Sequence, residues 1–290
     1  MRINTLIKFS RPHTIIGTII SIGTLYLMVA ETNASNYLFL LLRAIITGLF
    51  CNIFIVGINQ IEDIELDKIN KPFLPLASGE LSLRQGKTIV WTAFWGAITM
   101  AAFIHPLLIG VVGISMGIGW AYSCPPLYWR KHHLPAALSI AVVRGLMVNL
   151  GGYWVFNSII NNQNNFSTDI NILCLFITLF SVVIAWFKDL PDMKGDAMYQ
   201  IKSVAILYTP KVAVIAGHIL LIPAYLFSIW SYQENTVLYI GHFFLLIAFI
   251  LNTVYLYKSA PYNYKHYYKR FWLLFFSEYL LYLLAFAIRL

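Results

Sequence analysis

The 290-residue sequence predicts an all-α, polytopic membrane protein with about nine transmembrane helices around a central cavity. Three observations lead there. Hydrophobic residues make up 59% of the chain and charged residues 11%, against roughly 25% charged in a soluble domain. The apolar runs are long and continuous rather than alternating. Lipid leaves backbone groups no water to bond, so only helices or closed barrels cross it, and unbroken runs of about 20 residues fit helices. Finally, the basic residues fall on alternate loops, as a multi-span topology requires.

The spans are expected near 12–30, 37–58, 88–104, 107–123, 134–156, 171–187, 211–231, 237–257 and 271–288. The first follows Arg2 and Lys8. It is too long for a signal-peptide core and lacks a small-residue cleavage site, so it reads as a retained helix with no transit peptide before it. The second runs into an acidic stretch beginning at Asn59, and the third and fourth meet at His105-Pro106. The fifth carries Arg144 and Asn149, costly inside a bilayer and therefore candidates for a cavity. The sixth runs into a second acidic stretch at Lys188-Asp189. A short polar break near 232–236 separates the seventh from the eighth, and the ninth contains Glu278. Residues 1–290 are expected to form a single transmembrane domain, with aspartate-bearing loops near 59–87 and 188–210.

With the N-terminus inside, the inner loops hold Lys68, Lys71, Arg84 and Lys87, then Arg130 and Lys131, then Lys188, Lys194, Lys202 and Lys211, then Lys258, Lys265, Lys269 and Arg270. The outer stretches near 31–36, 105, 157–170 and 232–236 hold no Lys or Arg. This is the bias of cytoplasmic (or stromal) loops. The net charge of +8 reads as orientation and contact with anionic headgroups rather than nucleic-acid binding. Cys51, Cys124 and Cys174 are scattered, which points to neither a disulfide framework nor a zinc site. The glycosylation-like triplets at Asn33 and Asn165 are assigned no role. No obligate protein partner is indicated.

The two acidic stretches carry the chemistry. In the first, Asn59, Asp63 and Asp67 are spaced i, i+4, i+8, which on a helix places all three on one face. In the second, Asp189, Asp192 and Asp196 are spaced i, i+3, i+7, again one helical face. Like charges so spaced repel, and a membrane edge makes that worse, so a divalent cation is expected. Oxygen ligands without His or Cys favour magnesium, which is held by one or two carboxylates plus phosphate oxygens. Two such groups facing each other fit two Mg2+ ions and a diphosphate, with an apolar chain in the span interior. The ions would stabilise the departing pyrophosphate. Aromatic residues, 16% of the chain, suit a developing allylic cation.

These residues resemble the UbiA superfamily of intramembrane prenyltransferases, whose pattern is NxxxDxxxD after the second helix and DxxxD after the sixth. Asn59, Asp63 and Asp67 supply the first and Asp192 and Asp196 the second, with Asp189 as found in some branches. Within it the chain looks most like the homogentisate prenyltransferases of cyanobacteria and plastids. The matching segments include Phe9-Ser-Arg-Pro-His-Thr-Ile-Ile-Gly17, Asp67-Lys-Ile-Asn-Lys-Pro72, Leu74-Pro-Leu-Ala-Ser-Gly79, Tyr122-Ser-Cys-Pro-Pro126, Arg144-Gly and Glu278-Tyr-Leu-Leu-Tyr282. Tyr128-Trp129-Arg130-Lys131 departs from the usual basic pattern after Pro126.

The resemblance implies magnesium-dependent transfer of a prenyl group, phytyl first of all, to homogentisate with loss of its carboxylate as carbon dioxide. The product would be a tocopherol precursor. It also implies that Asn59, Asp63 and Asp67 hold one Mg2+ and Asp192 and Asp196, with Asp189, the other. Lys68, Lys71, Lys188 and Lys194 become candidates for phosphate contact. Arg11 reads as a contact for the acid's carboxylate or as an interfacial anchor. Tyr122 reads as a diphosphate contact or a belt residue, while Arg144 and Asn149 have cavity roles without a fixed partner. Geranylgeranyl or solanesyl transfer, or another acceptor such as a chlorophyllide, a hydroxybenzoate or a haem, are the neighbouring readings. An ion-coupled transporter is the distant one, disfavoured because the acids sit at span ends rather than at the midplane.

Overall fold

The computed structural model describes residues 3–30, 35–259 and 261–288. Arg2, Glu31 and Asn33 lie outside the described residues. The helices are α1 (Ile3–Phe9), α2 (Pro12–Ala30), α3 (Leu38–Glu62), α4 (Ile64–Asn70), α5 (Leu83–Ala102), α6 (Pro106–Ser123), α7 (His133–Ala141), α8 (Gly152–Ile160), α9 (Thr168–Lys188), α10 (Met193–Met198), α11 (Val204–Leu207), α12 (Pro210–Ser231), α13 (Thr236–Lys258) and α14 (Tyr264–Ala287). No strand forms among the described residues.

Local sequence sets where the long helices begin. Ser82 and Gln85 form a reciprocal capping box, so α5 starts several residues before the expected apolar run. Pro106 follows the His105 cap of α6, and Pro210 follows the Thr209 cap of α12, where a missing N–H costs nothing. Asn263 caps α14, which gains a polar first stretch, Tyr264–Arg270, ahead of the expected span.

Eight helical stretches among the described residues are long and apolar enough to cross a membrane: Pro12–Ala30, Ser35–Glu62, Pro106–Ser123, His133–Ile160, Thr168–Lys188, Pro210–Ser231, Thr236–Lys258 and Tyr264–Ala287. The protein is an integral membrane protein. The expected third span is α5, which has the length at 20 residues but opens with Arg84, Gln85 and Lys87. It packs along α3; among the described residues nine long helical stretches stand where nine spans were expected, and eight of them are apolar enough to cross.

The helices form a ring. α3 packs on α2, α5 and α6, α9 on α7 and α12, α13 on α12 and α14, and α14 returns to α2. The larger apolar core joins α9, α12, α13 and α14 to α2, and a smaller one lies among α3, α5 and α6. The fifth crossing is one continuous helix from α7 to α8, wound with wider π-type turns over Val142–Gly151. Such turns recur at functional sites. Gly145 within it lets the backbones meet: a Cβ there would lie 2.3 Å from Thr178 Oγ1 and 2.7 Å from Thr178 Cα on α9.

Candidate active site

The two acidic stretches meet at one end of the ring. α3 runs into the first, and its i→i−4 ladder continues through a kink at Asp63: the N–H of Asp63 donates to Asn59 O at 3.0 Å, and that of Asp67 to Asp63 O at 2.7 Å. The expected shared face of Asn59, Asp63 and Asp67 therefore survives the break between α3 and α4. The second stretch differs from expectation. α9 stops at Lys188, Leu190-Pro191 make a turn, and α10 starts after Asp192, because Pro191 cannot donate to a helical ladder. Asp189, Asp192 and Asp196 are thus presented by a helix end, a turn and a new helix rather than by one helical face.

All five aspartates are buried, between 3% and 8% exposed. Each is met by a polar or cationic neighbour. Arg130 pairs with Asp63, and Lys71 with Asp192, also lying 4.0 Å from Asp67. Arg11 donates to Asn59 Oδ1 at 3.0 Å and lies 3.9 Å from Asp67. Lys188 pairs with Asp189 at 2.6 Å. Lys71 therefore joins the first stretch to the second. So does Asn70, whose amide donates to Asp196 Oδ1 at 3.2 Å while its oxygen accepts from the Gly195 N–H at 3.0 Å.

Burial dominates the electrostatics. It pushes the Asp63 carboxyl up to about 6, against the pull of Arg130, and the Asp196 carboxyl up to about 7, with Asp189 adding to the rise. Asp67 and Asp189 are raised for the same first reason, opposed chiefly by Arg11 and by Lys188 respectively. Arg130 loses hydration as well, yet Asp63 and then Tyr128 more than compensate and hold it charged.

The fit to a cation rests on the donor set. Asp63 Oδ1 and Asp67 Oδ2 are buried and accept no hydrogen bond. A desolvated carboxylate oxygen without a partner is unfavourable, and a hard cation satisfies it. No group of three acidic, His or Cys residues close enough to cage an ion exists among the described residues. The arrangement suits ions that take most of their ligands from water and phosphate. Asn59 directs its oxygen to Arg11 and its amide to Asp63 at 2.9 Å, so in this state its carbonyl serves the arginine.

Several expected residues stand elsewhere. Lys68 is exposed and pairs with Glu65 at 2.7 Å, and Lys194 is exposed with no salt bridge among the described residues, so neither meets the carboxylates. Asn149 does not line the cavity. It is wholly buried, donates to the carbonyls of Arg144 and Gly145 and accepts from the Tyr279 hydroxyl at 2.8 Å, which supports the wide turns of the fifth crossing. Arg11 reaches Asn59 and Asp67 rather than standing free for an acid. Tyr122 is half-buried at the end of α6 and contributes to the field at Arg130.

Arg130 and Asn70 are the residues that the motifs did not mark. Arg130 counted as a loop charge, and its burial depends on the tight turn after Pro126. There the N–H of Lys202 donates to Lys131 O at 2.8 Å and that of His133 to Lys202 O at 3.1 Å. Asn70 lay inside a matching segment but not in the acidic spacing itself.

Inward from the carboxylates, a cavity of about 150 Å3 lies between α2, α3, α6, the fifth crossing and α14. Ile55, Val112, Met147 and Phe275 supply apolar walls, and Asn52 and Arg144 are polar exceptions. Asn52 precedes Asn59 by seven residues, roughly 10 Å along the same face of α3. The mouth of carboxylates and the cavity are thus stacked along one axis.

Residues 19–280 match the UbiA prenyltransferase family. The chain is 38% identical to the homogentisate phytyltransferase of Synechocystis sp. over 289 residues, covering 96% of this chain and 94% of that one. It is 33% identical to the chloroplastic homogentisate solanesyltransferase of Arabidopsis thaliana, over 96% of this chain and 76% of the relative. The fold matches a UbiA homolog from Archaeoglobus fulgidus bound to GPP and Mg2+, with a TM-score of 0.66, 14% identity and coverage of 96% and 99%. By its motifs, its ring of helices and the match along nearly its whole length, the chain belongs to the UbiA prenyltransferase family.

Proposed function

We propose that this protein transfers a prenyl group, phytyl in the first instance, from its diphosphate to homogentisate with loss of carbon dioxide. One observation carries the reading: two carboxylate groups from separate parts of the chain close over a single mouth, directly above an apolar cavity. The likeness to homogentisate phytyltransferase across 94% of that enzyme supports the acceptor. The likeness to a solanesyltransferase makes solanesyl, and with it geranylgeranyl, the alternative donors.

In this reading the prenyl C1–O bond breaks, pyrophosphate leaves, and a bond forms to the acceptor ring. The ring gives up a proton, and the side chain loses carbon dioxide and takes one up. Asp63 and Asp67 would hold one Mg2+, and Asp192 and Asp196 a second, with Asp189 kept in place by Lys188. Bound magnesium supplies charge stabilisation to the departing pyrophosphate. Lys71, Arg11 and Arg130 lie among these carboxylates and would be within reach of a bound diphosphate's oxygens. Tyr122 borders the same mouth. The cavity's apolar walls keep water from the allylic centre. In this reading the mouth faces the cytoplasmic or stromal side, which the Lys and Arg on the loops that bear the aspartates support.

The test is direct. Membranes containing the protein are given homogentisate, Mg2+ and phytyl, geranylgeranyl or solanesyl diphosphate in turn. A prenylated methylquinol with at least one donor is expected, with phytyl fastest. Failure of every pair to yield such a quinol overturns the assignment.

A further inference from the structure

Each cation at the mouth already has an acidic neighbour: Arg130 has Asp63, Lys71 has Asp192, Lys188 has Asp189, and Arg11 lies near Asp67. Arg144 differs. It stands within a membrane crossing, in the widened turns of Val142–Gly151, and borders the cavity. Its side chain has no salt bridge or hydrogen bond among the described residues, and its Nε is buried without a partner. Two rings hold it from the side, with the guanidinium carbon 4.8 Å from the Trp272 ring centre and 5.2 Å from that of Phe275. Ring faces attract the cation but offer no acceptor along the guanidinium edge. A planar fork of donors in low dielectric at the border of a cavity suits a carboxylate that pairs with it two-fold.

The space has the right scale. A cavity of about 150 Å3 is on the order of one that admits a benzene ring. Phe275 and Tyr279 line it on one side and Asn52 on another, so an aromatic ring finds apolar faces and a polar edge. Asn149 fixes the site from behind by accepting from Tyr279 and bonding the Arg144 carbonyl.

We propose that Arg144 is the specificity-determining residue for the acceptor, its guanidinium anchoring the carboxylate of an aromatic acid whose ring lies beside Phe275 and Tyr279. This rests on the acceptor reading above and names the group that selects it. Arg11, the sequence-level candidate for that contact, is already engaged by Asn59 and Asp67. The arrangement separates the two substrates' charges, with diphosphate at the mouth and carboxylate at Arg144.

The experiment compares homogentisate with methylhydroquinone, its carboxylate-free counterpart, by titration calorimetry on purified protein, alongside turnover kinetics. In Arg144→Gln, homogentisate affinity is expected to fall about 10- to 100-fold, the range of a lost charged hydrogen-bond pair. Methylhydroquinone affinity and the KM for the prenyl diphosphate stay within about twofold in a variant that has lost only this contact. Should Arg144→Gln not fold, Arg144→Lys carries the test: it keeps the charge, loses the fork, and weakens homogentisate several-fold while sparing methylhydroquinone. Equal weakening of both ligands, unchanged homogentisate binding, or a donor KM that rises as much as the acceptor's overturns the proposal. Binding is read without turnover, so the two readings fail separately. If homogentisate binds through Arg144 but is never prenylated, the assigned reaction fails and the anion site stands. If homogentisate is prenylated and Arg144→Gln leaves its KM unchanged, the anion site alone fails.

Discussion

Gly195→Ala puts the joint between the two aspartate motifs under a defined strain. Gly195 lies in α10, and a Cβ there would stand 2.3 Å from Asn70 Oδ1, 2.6 Å from its Cγ and 2.7 Å from its Nδ2. All three of these nearest atoms belong to the amide at the end of the Asn70 side chain, so that amide must swing away. Two bonds go with it: Asn70 to Asp196 and the Gly195 N–H to Asn70. A bond to a charged group contributes about 1.5–3 kcal/mol and a neutral one about 0.5–1.5, so their loss is worth roughly 2–4.5 kcal/mol. Alanine recovers up to about 1 kcal/mol of helix propensity. The net expectation is a destabilisation of roughly 1–3.5 kcal/mol, with a weakened Mg2+ response because Asp196 loses its positioning amide. Thermal melting in detergent and the Mg2+ dependence of turnover measure these. Asn70→Ala supplies the control, since removing the amide removes the overlap. The double variant should therefore be no worse than Asn70→Ala alone, a non-additive cycle. Full additivity would refute the contact as the cause.

Other outcomes follow from the same geometry. Asp63→Ala and Asp192→Ala should each abolish turnover while the protein still inserts and melts cooperatively, and near-normal activity in either sinks the two-metal reading. Raised carboxyls at about 6 for Asp63 and about 7 for Asp196 mean that the metal competes with protons. The Mg2+ concentration for half-maximal rate should rise about tenfold from pH 8 to pH 6, the proton competition set by the value near 7. Because these groups hold protons in the native state that the unfolded chain releases, the metal-free protein should lose stability as pH rises from about 4 to about 7. Added Mg2+ should offset that loss, and melting curves across pH check both signs. In the larger core, His242 Nε2 and Glu278 Oε1 lie 2.9 Å apart, both wholly buried between α13 and α14. Glu278→Leu should cost about 3–5 kcal/mol or prevent folding, since it strips a buried pair, and a stability within 1 kcal/mol of the parent would show that the pair contributes little.

Much of the architecture was legible in one dimension. Bilayer crossing demands long apolar runs, and those runs are local, so eight of the nine expected spans appear as apolar helices within a few residues of their expected positions. Capping chemistry explains most of the shifts, as at Ser82 and Asn263. The two acidic stretches stood out for a like reason, because their spacing is a helix period and their charge is out of place at a membrane edge.

What the sequence by itself determined was the solvent, the number and order of crossings to within one, and the identity of the carboxylates. Their partners were settled only by the tertiary structure. Whether a lysine or arginine pairs, solvates or stands alone depends on contacts between residues far apart in the chain. Lys71 crosses to Asp192, Arg130 is folded in on Asp63 by its turn, and Lys68 turns out to Glu65. Asn149 and Arg144 looked alike as polar residues in one span, yet wide helical turns and Tyr279 bury one and leave the other at the cavity. Helical periodicity tells which residues share a face, but only packing tells what that face meets.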